Sequence, residues 1–161
     1  MFKQINKPYL IAEIGINHNG DIDIAKKLLD AVYSTEWDCA KFQKRNPDIC
    51  VPDHQKDIPG DTPWGEMTYL EYKHRIEFEK PEYDIIDEYC KEINMKWFAS
   101  VWDKPSVDFM KQYSTISKIP SALITNGPDE ILMYDFISLK LSKVLNFAVG
   151  ILFFFRNLLE K

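Results

Sequence analysis

Residues 9–43 read YLIAEIGINHNGDIDIAKKLLDAVYSTEWDCAKFQ, and the order of patterns within them decides the fold. Tyr9, Leu10, Ile11 and Ala12 form a short apolar run closed by Glu13 and Gly15, which is how a strand buried on both faces reads. Asn17, His18, Asn19, Gly20 and Asp21 are turn formers. From Ile22 the period changes. Ile24, Ala25, Leu28, Leu29 and Val32 recur at helical spacing, with Lys26, Lys27 and Asp30 between them. Cys39 to Gln43 is again a short strand, so one βα unit hands over to the next.

The alternation continues along the chain. Residues 44–78 make a long connection containing Pro47, Pro52, Pro59, Gly60, Pro63 and Gly65. A connection of that length is usually functional or mobile, and 67–78 can be helical. Residues 82–93 read as a helix with Tyr83, Ile86, Tyr89, Cys90 and Ile93 on one side, 96–100 as a strand, 106–113 as a short helix and 115–119 as a weaker strand. Four such units in order predict an α/β fold with parallel strands, either a doubly wound sheet or a (βα) barrel. Polar residues recur where strands end: Glu13, Lys41 with Gln43, Ser100, and Lys118 with Ser121. Barrels build their sites from those ends, and no GxGxxG follows the first strand, so the barrel is favoured.

Several of these residues admit two readings. Lysines ending buried strands, Lys41 and Lys118, need an anion or a carboxylate; they can converge on a phosphate or carboxylate ligand, or each can pair with an acid such as Glu13. Glu13 can orient hydroxyls or move a proton, or serve as the partner of Lys41. The Asn17–Gly20 loop offers polar groups at a barrel mouth but reads first as a plain turn. Trp64 and its neighbours can cover a ligand or pack on the barrel wall. His54 and His74 read as surface residues, and no pair of histidines has metal-ligand spacing.

Composition bounds the function. A net charge of −5 without a Lys/Arg block speaks against a nucleic-acid partner. Three cysteines, Cys39, Cys50 and Cys90, without CxxC spacing, read as reduced thiols in a cytoplasmic protein. The N-terminus carries no recognisable secretory pattern. Residues 129–141 can form a helix, and residues 144–155 are almost wholly apolar but fall short of the ~20 needed to span a bilayer. A fifth strand or a buried helix is expected there, and a membrane partner is not.

Five segments, IAEIGINHNG at 11–20, CAKFQK at 39–44, DTPWGEMTYLEYKHRIEF at 61–78, WFASVWD at 97–103 and SKIPSALIT at 117–125, occur in this order. Together they resemble the sialic acid synthase family, which includes N-acetylneuraminate and legionaminate synthases. The resemblance implies a (βα)8 TIM barrel followed by an antifreeze-like domain. It also implies condensation of phosphoenolpyruvate with an N-acetylated hexosamine aldehyde, with a divalent metal, manganese or magnesium, as cofactor. It places Lys41 and Lys118 on phosphoenolpyruvate, Gln43 and Ser121 beside them, and Glu13 near the sugar. Ser100 falls next to a hydroxyl position that Val101 occupies here.

Residues 127–161 do not follow the family, whose next strand resembles PIILSTGM. The metal-binding histidines and the antifreeze-like domain come later still. The expectation is therefore a partial (βα)8 barrel of about four βα units in 1–126, a divergent apolar tail in 127–161, and a missing C-terminal half. Such a chain is expected to be inactive alone and to self-associate. A Schiff-base aldolase on the same barrel, with Lys41 or Lys118 as nucleophile, and a non-catalytic binding or assembly fragment are the alternatives.

Overall fold

The computed structural model describes residues 8–114 and 116–120. The main sheet has four parallel strands in the order β1 (Ile11–Gly15), β2 (Cys39–Lys44), β5 (Lys96–Val101) and β6 (Ser117–Lys118). Each strand lies beside the one before it in this series. Among the described strands there is no reversal of order, the feature that marks a doubly wound sheet. The expected tail at 127–161 and Ser121 lie outside the described residues.

Helices α1 (Ile22–Ser34), α5 (Lys80–Glu92) and α6 (Lys104–Met110) connect these strands. Each begins for a local reason. Asp21 caps α1 by accepting from the backbone N–H of Asp23 and Ile24, and Asp103 caps α6 through Ser106. Pro81 lies in the first turn of α5, where its missing N–H costs nothing. The strand reading at 9–12 is displaced by two residues: Glu13 and Gly15 belong to β1 itself, and the ladder slips between them.

Strand alternation sorts the sheet into two faces. Ala40, Phe42, Trp97, Ala99 and Val101 form a core with Ala25, Leu29 and Val32 of α1, Tyr83, Ile86 and Cys90 of α5, and Met110 of α6. Tyr83 is fully buried and lies flat against Trp97, with centroids 5.8 Å apart. Its hydroxyl donates to the Gln43 carbonyl at 2.7 Å. A buried aromatic of this kind is among the larger single contributions to a core, with removal costing ~3–5 kcal/mol.

The long connection is more ordered than its prolines imply. It contains α2 (Pro47–Cys50), α3 (Asp53–Lys56), an antiparallel hairpin of β3 (Pro59–Thr62) and β4 (Gly65–Thr68), and α4 (Tyr69–Ile76). Thr68 and Glu71 close a reciprocal capping box on α4. The connection returns to its own origin: Glu77 Oε1 accepts from the Arg45 backbone N–H at 3.0 Å. Gly20 allows the first loop to pass beneath it. Its φ is +75°, and a Cβ there would lie 2.3 Å from the Arg75 carbonyl oxygen. No helix among the described residues is long and apolar enough to cross a membrane.

Candidate functional site

The ladder pairs Glu13 with Lys41, Gln43 with Ser100 and Ser100 with Lys118. With the period of two, this register puts all five residues on the sheet face away from the helices. Ser121, the remaining member of the expected set, lies outside the described residues.

Lys41 is the centre of the group. Its residue is 5% exposed, yet its Nζ donates to Ser100 Oγ at 2.7 Å and stands 2.5 Å from Glu13 Oε2. Ser100 is itself buried, while the Glu13 carboxylate is largely open to solvent. Burial lowers the Lys41 pKa from its usual range, Glu13 pushes it back up, and the charge of Lys118 lowers it. Lys118 is exposed. Two cations are thus near enough to repel each other, with one carboxylate between the buried lysine and water. Lys41 thus has Glu13 as its partner, and the charge of Lys118 reaches it.

Gly15 keeps the group open. A Cβ on it would lie 3.4 Å from Glu13 Oε1 and 3.7 Å from Gln43 Nε2, and its φ of +58° strains any other residue. The Glu13 and Gln43 heads therefore flank one spot at the end of β1. A hollow lined by Tyr33, Trp37, Asn94 and Met95 lies at the other end of the strands, where helices hand over to β2 and β5.

Four residues at the strand ends escaped the sequence reading. His18, in the loop read as a plain turn, is 1% exposed and stacked on Phe78 with centroids 3.8 Å apart. Its Nδ1 accepts from the Gly20 N–H at 3.1 Å, which fixes the neutral ring, and burial pushes its pKa down to about 4. Arg45 Nε meets the buried carboxylate of Glu77 at 3.0 Å, whose pKa burial raises and Arg45 opposes. Asp103 accepts from the backbone of Asn46 at 2.6 Å and from Ser106, joining the end of β2 to α6. Only Asp103 had a legible signal, an acid three residues before a serine at a helix start with proline between them. His54 and His74 are surface residues as read, His74 facing Asp48.

No group of three or more His, Cys, Asp or Glu side chains among the described residues could hold a metal ion. His18 has its Nδ1 committed to Gly20 and is buried against Phe78. The described residues therefore do not fit the divalent metal that the resemblance implies.

The fold is a parallel α/β sheet that carries a buried, acid-paired lysine and a second lysine on one face. The family model described as the NeuB family matches residues 28–134, and the chain belongs to that family. It is 33% identical over 129 residues to N-acetylneuraminate-9-phosphate synthase of Drosophila melanogaster, a match covering 78% of this chain and 34% of that protein. It is 31% identical over 127 residues to N,N'-diacetyllegionaminic acid synthase of Campylobacter jejuni, covering 77% of this chain and 38% of the relative. The chain thus spans about a third of the length of the curated relatives it matches. Among solved structures, an N-acetylneuraminic acid (sialic acid) synthetase from Leptospira borgpetersenii in complex with citrate superposes with a TM-score of 0.63 at 26% identity. That match covers 78% of this chain and 42% of the other.

Proposed function

We propose that this chain carries the phosphoenolpyruvate-binding part of a synthase that condenses phosphoenolpyruvate with an N-acetylated hexosamine aldehyde, releasing phosphate and a nonulosonic acid. In this reading the sheet is the N-terminal portion of a (βα)8 barrel in a cytoplasmic enzyme. The observation that carries it is the convergence of Lys41, Ser100, Glu13 and Gln43 on one sheet face, with Lys118 close enough to depress the charge of Lys41. A multiply charged phosphate-carboxylate ligand supplies the negative charge that two neighbouring cations need.

The chemistry assigns the groups in turn. The enol carbon of phosphoenolpyruvate forms a bond to the aldehyde carbon, and the aldehyde oxygen takes up a proton. Water adds at the cation left on the neighbouring carbon and loses a proton; the hydroxyl so formed closes to a C=O, passing its proton to the departing phosphate as the C–O bond to phosphate breaks. Lys41 and Lys118 hold the phosphate or carboxylate oxygens through these steps. Ser100 fixes the Lys41 ammonium, and Glu13, exposed and at the mouth, orients a sugar hydroxyl or moves a proton. Gln43 and Ser121 complete the anion site. A divalent metal would polarise the aldehyde. The described residues offer no ligand set for one.

Titration calorimetry with phosphoenolpyruvate tests the reading. Lys41→Ala should weaken binding at least tenfold, while Lys73→Ala, remote on α4, should leave it unchanged. Equal affinity in wild type and Lys41→Ala would remove the anion site. One observation favours a second reading: burial holds the Lys41 amine below its usual range, as a Schiff-base nucleophile requires. Borohydride trapping of a keto-acid on Lys41, with mass spectrometry, would establish that aldolase reading instead. A non-catalytic assembly fragment, for which the lack of a metal-ligand set among the described residues speaks, would bind neither ligand.

A further inference from the structure

Two buried side-chain donors at the strand ends have no acceptor among the described residues: Arg45 Nη2 and Trp102 Nε1. They are neighbours. The Trp102 backbone N–H donates to the Lys44 carbonyl at 3.1 Å, which carries the β2–β5 ladder one step beyond its last pair, Lys44 and Val101. By the same alternation, Arg45 and Trp102 continue the row of Lys41, Gln43 and Ser100 one layer further towards the mouth. The Arg45 guanidinium carbon lies 6.0 Å from the Trp102 ring centroid.

Orphaned buried donors in native structures usually mark a missing acceptor. The charges nearby say which kind. The Arg45 cation is already met by Glu77, through both Nε and the backbone N–H, and the Asp103 carboxylate sits one residue beyond Trp102, held by Asn46 and Ser106. With Lys44 beside Glu77 and Glu79, two cations stand among three carboxylates and leave no surplus positive charge for a second anion. They leave N–H donors beside an indole. That combination suits an uncharged oxygen, a hydroxyl or an amide carbonyl, on a ligand whose C–H face packs on the ring.

We propose that Arg45 and Trp102 form a carbohydrate subsite, separate from the Lys41 anion site and one layer above it, that binds a neutral oxygen of a sugar. This rests on the function proposed above, of which it names the acceptor end. Trp102 as a residue is only partly buried although its Nε1 is buried; binding in this reading requires the ring to turn and present Nε1–H to the mouth. Glu77 keeps the guanidinium in place meanwhile.

The experiment follows the indole N–H resonances of the chain's four tryptophans by NMR, assigned through the wild-type backbone so that the readout needs no variant. N-Acetylmannosamine and phosphoenolpyruvate are added separately. The sugar should shift the Trp102 signal saturably, and phosphoenolpyruvate alone should not. Trp102→Phe, which keeps a ring and loses the donor, should weaken sugar binding about 3- to 10-fold, the worth of one neutral hydrogen bond. It should leave phosphoenolpyruvate affinity unchanged. The proposal is overturned if the sugar binds with the Trp102 signal unmoved, if Trp102→Phe binds it as wild type does, or if no sugar binds while phosphoenolpyruvate does. Phosphoenolpyruvate binding that ignores Lys41 counts against the parent reading and leaves the sugar result to decide this one.

Discussion

Acidifying the chain should destabilise it through a single ring. His18 is buried against Phe78 and uses Nδ1 as an acceptor for the Gly20 N–H. Protonation would put a hydrogen where that acceptor is and a charge on an apolar stack. Burial pushes the folded-state pKa down to about 4, against 6.5 for a free imidazole. The unfolded chain therefore binds the extra proton first, between pH 6.5 and 4. Stability is complete above pH 6.5, falls as the pH drops through that interval, and levels off below about 4. An interval of roughly 2.5 pH units at 1.36 kcal/mol each makes the loss about 3 kcal/mol, a large share of the ~5–15 kcal/mol that holds a domain together. Glu77 works in the opposite direction, since burial raises its pKa and its protonation favours the folded state. A matched variant isolates the ring. His18→Phe preserves the stack, removes the titration and leaves the Gly20 N–H without its acceptor, costing roughly 1 kcal/mol at any pH. Urea denaturation followed by tryptophan fluorescence at pH 7.5, 5.5 and 4 gives the difference between wild type and variant. That difference should shift by about 3 kcal/mol towards the variant across the series. A difference independent of pH would refute the reasoning.

Three other outcomes follow from geometry already described. Gly20→Ala combines a positive φ with a Cβ 2.3 Å from a backbone oxygen and should cost more than the ~1 kcal/mol of an ordinary left-handed alanine, seen as a lowered urea midpoint with unchanged slope. Ser100→Ala removes the hydroxyl that accepts from the buried Lys41 ammonium; it should cost ~1–3 kcal/mol and weaken phosphoenolpyruvate binding, whereas Ser114→Ala should do neither. The outer edges of β1 and β6 have no strand partner among the described residues, and unpaired edges recruit other chains. Light scattering at micromolar concentration should accordingly find a dimer or larger species, and a monodisperse monomer would contradict this.

The sheet was legible because its signals are local and repeated. Residues 9–43 announce a strand, a turn, an amphipathic helix and a strand within one reading, and polar residues at strand ends marked Glu13, Lys41, Gln43 and Ser100 for one face. The hairpin of β3 and β4 was hidden because Pro59, Gly60, Pro63 and Gly65 read as breakers. Its strands carry mostly exposed residues, so no apolar alternation betrays them. The burial of His18 left no trace for a different reason. A turn of Asn, His, Asn and Gly gives no sign that a ring will be buried, and Phe78, which buries it, lies far along the chain. The partners Arg45 and Glu77 share that difficulty, being 32 residues apart. Ion pairs at such separation leave no periodicity, and only the fold brings them together.

Residues 45–79 leave the sheet and come back to nearly the same point. Lys44 grips the Phe78 carbonyl at 2.7 Å and Glu79 at 3.1 Å, Arg45 grips Glu77, and His18 stacks on Phe78 from the neighbouring loop. The two ends of the excursion are thus riveted together independently of what lies between them. Nothing stands within 4 Å of where side chains would sprout at Gly60 or Gly65. Inserted residues at that hairpin would add only the slowly growing closure term, about 0.6 kcal/mol for each doubling of loop length. A protease nick there would leave both halves of the excursion fastened to the same strand end. The tip of this excursion is consequently a position at which the chain should tolerate a graft, a reporter or a cut.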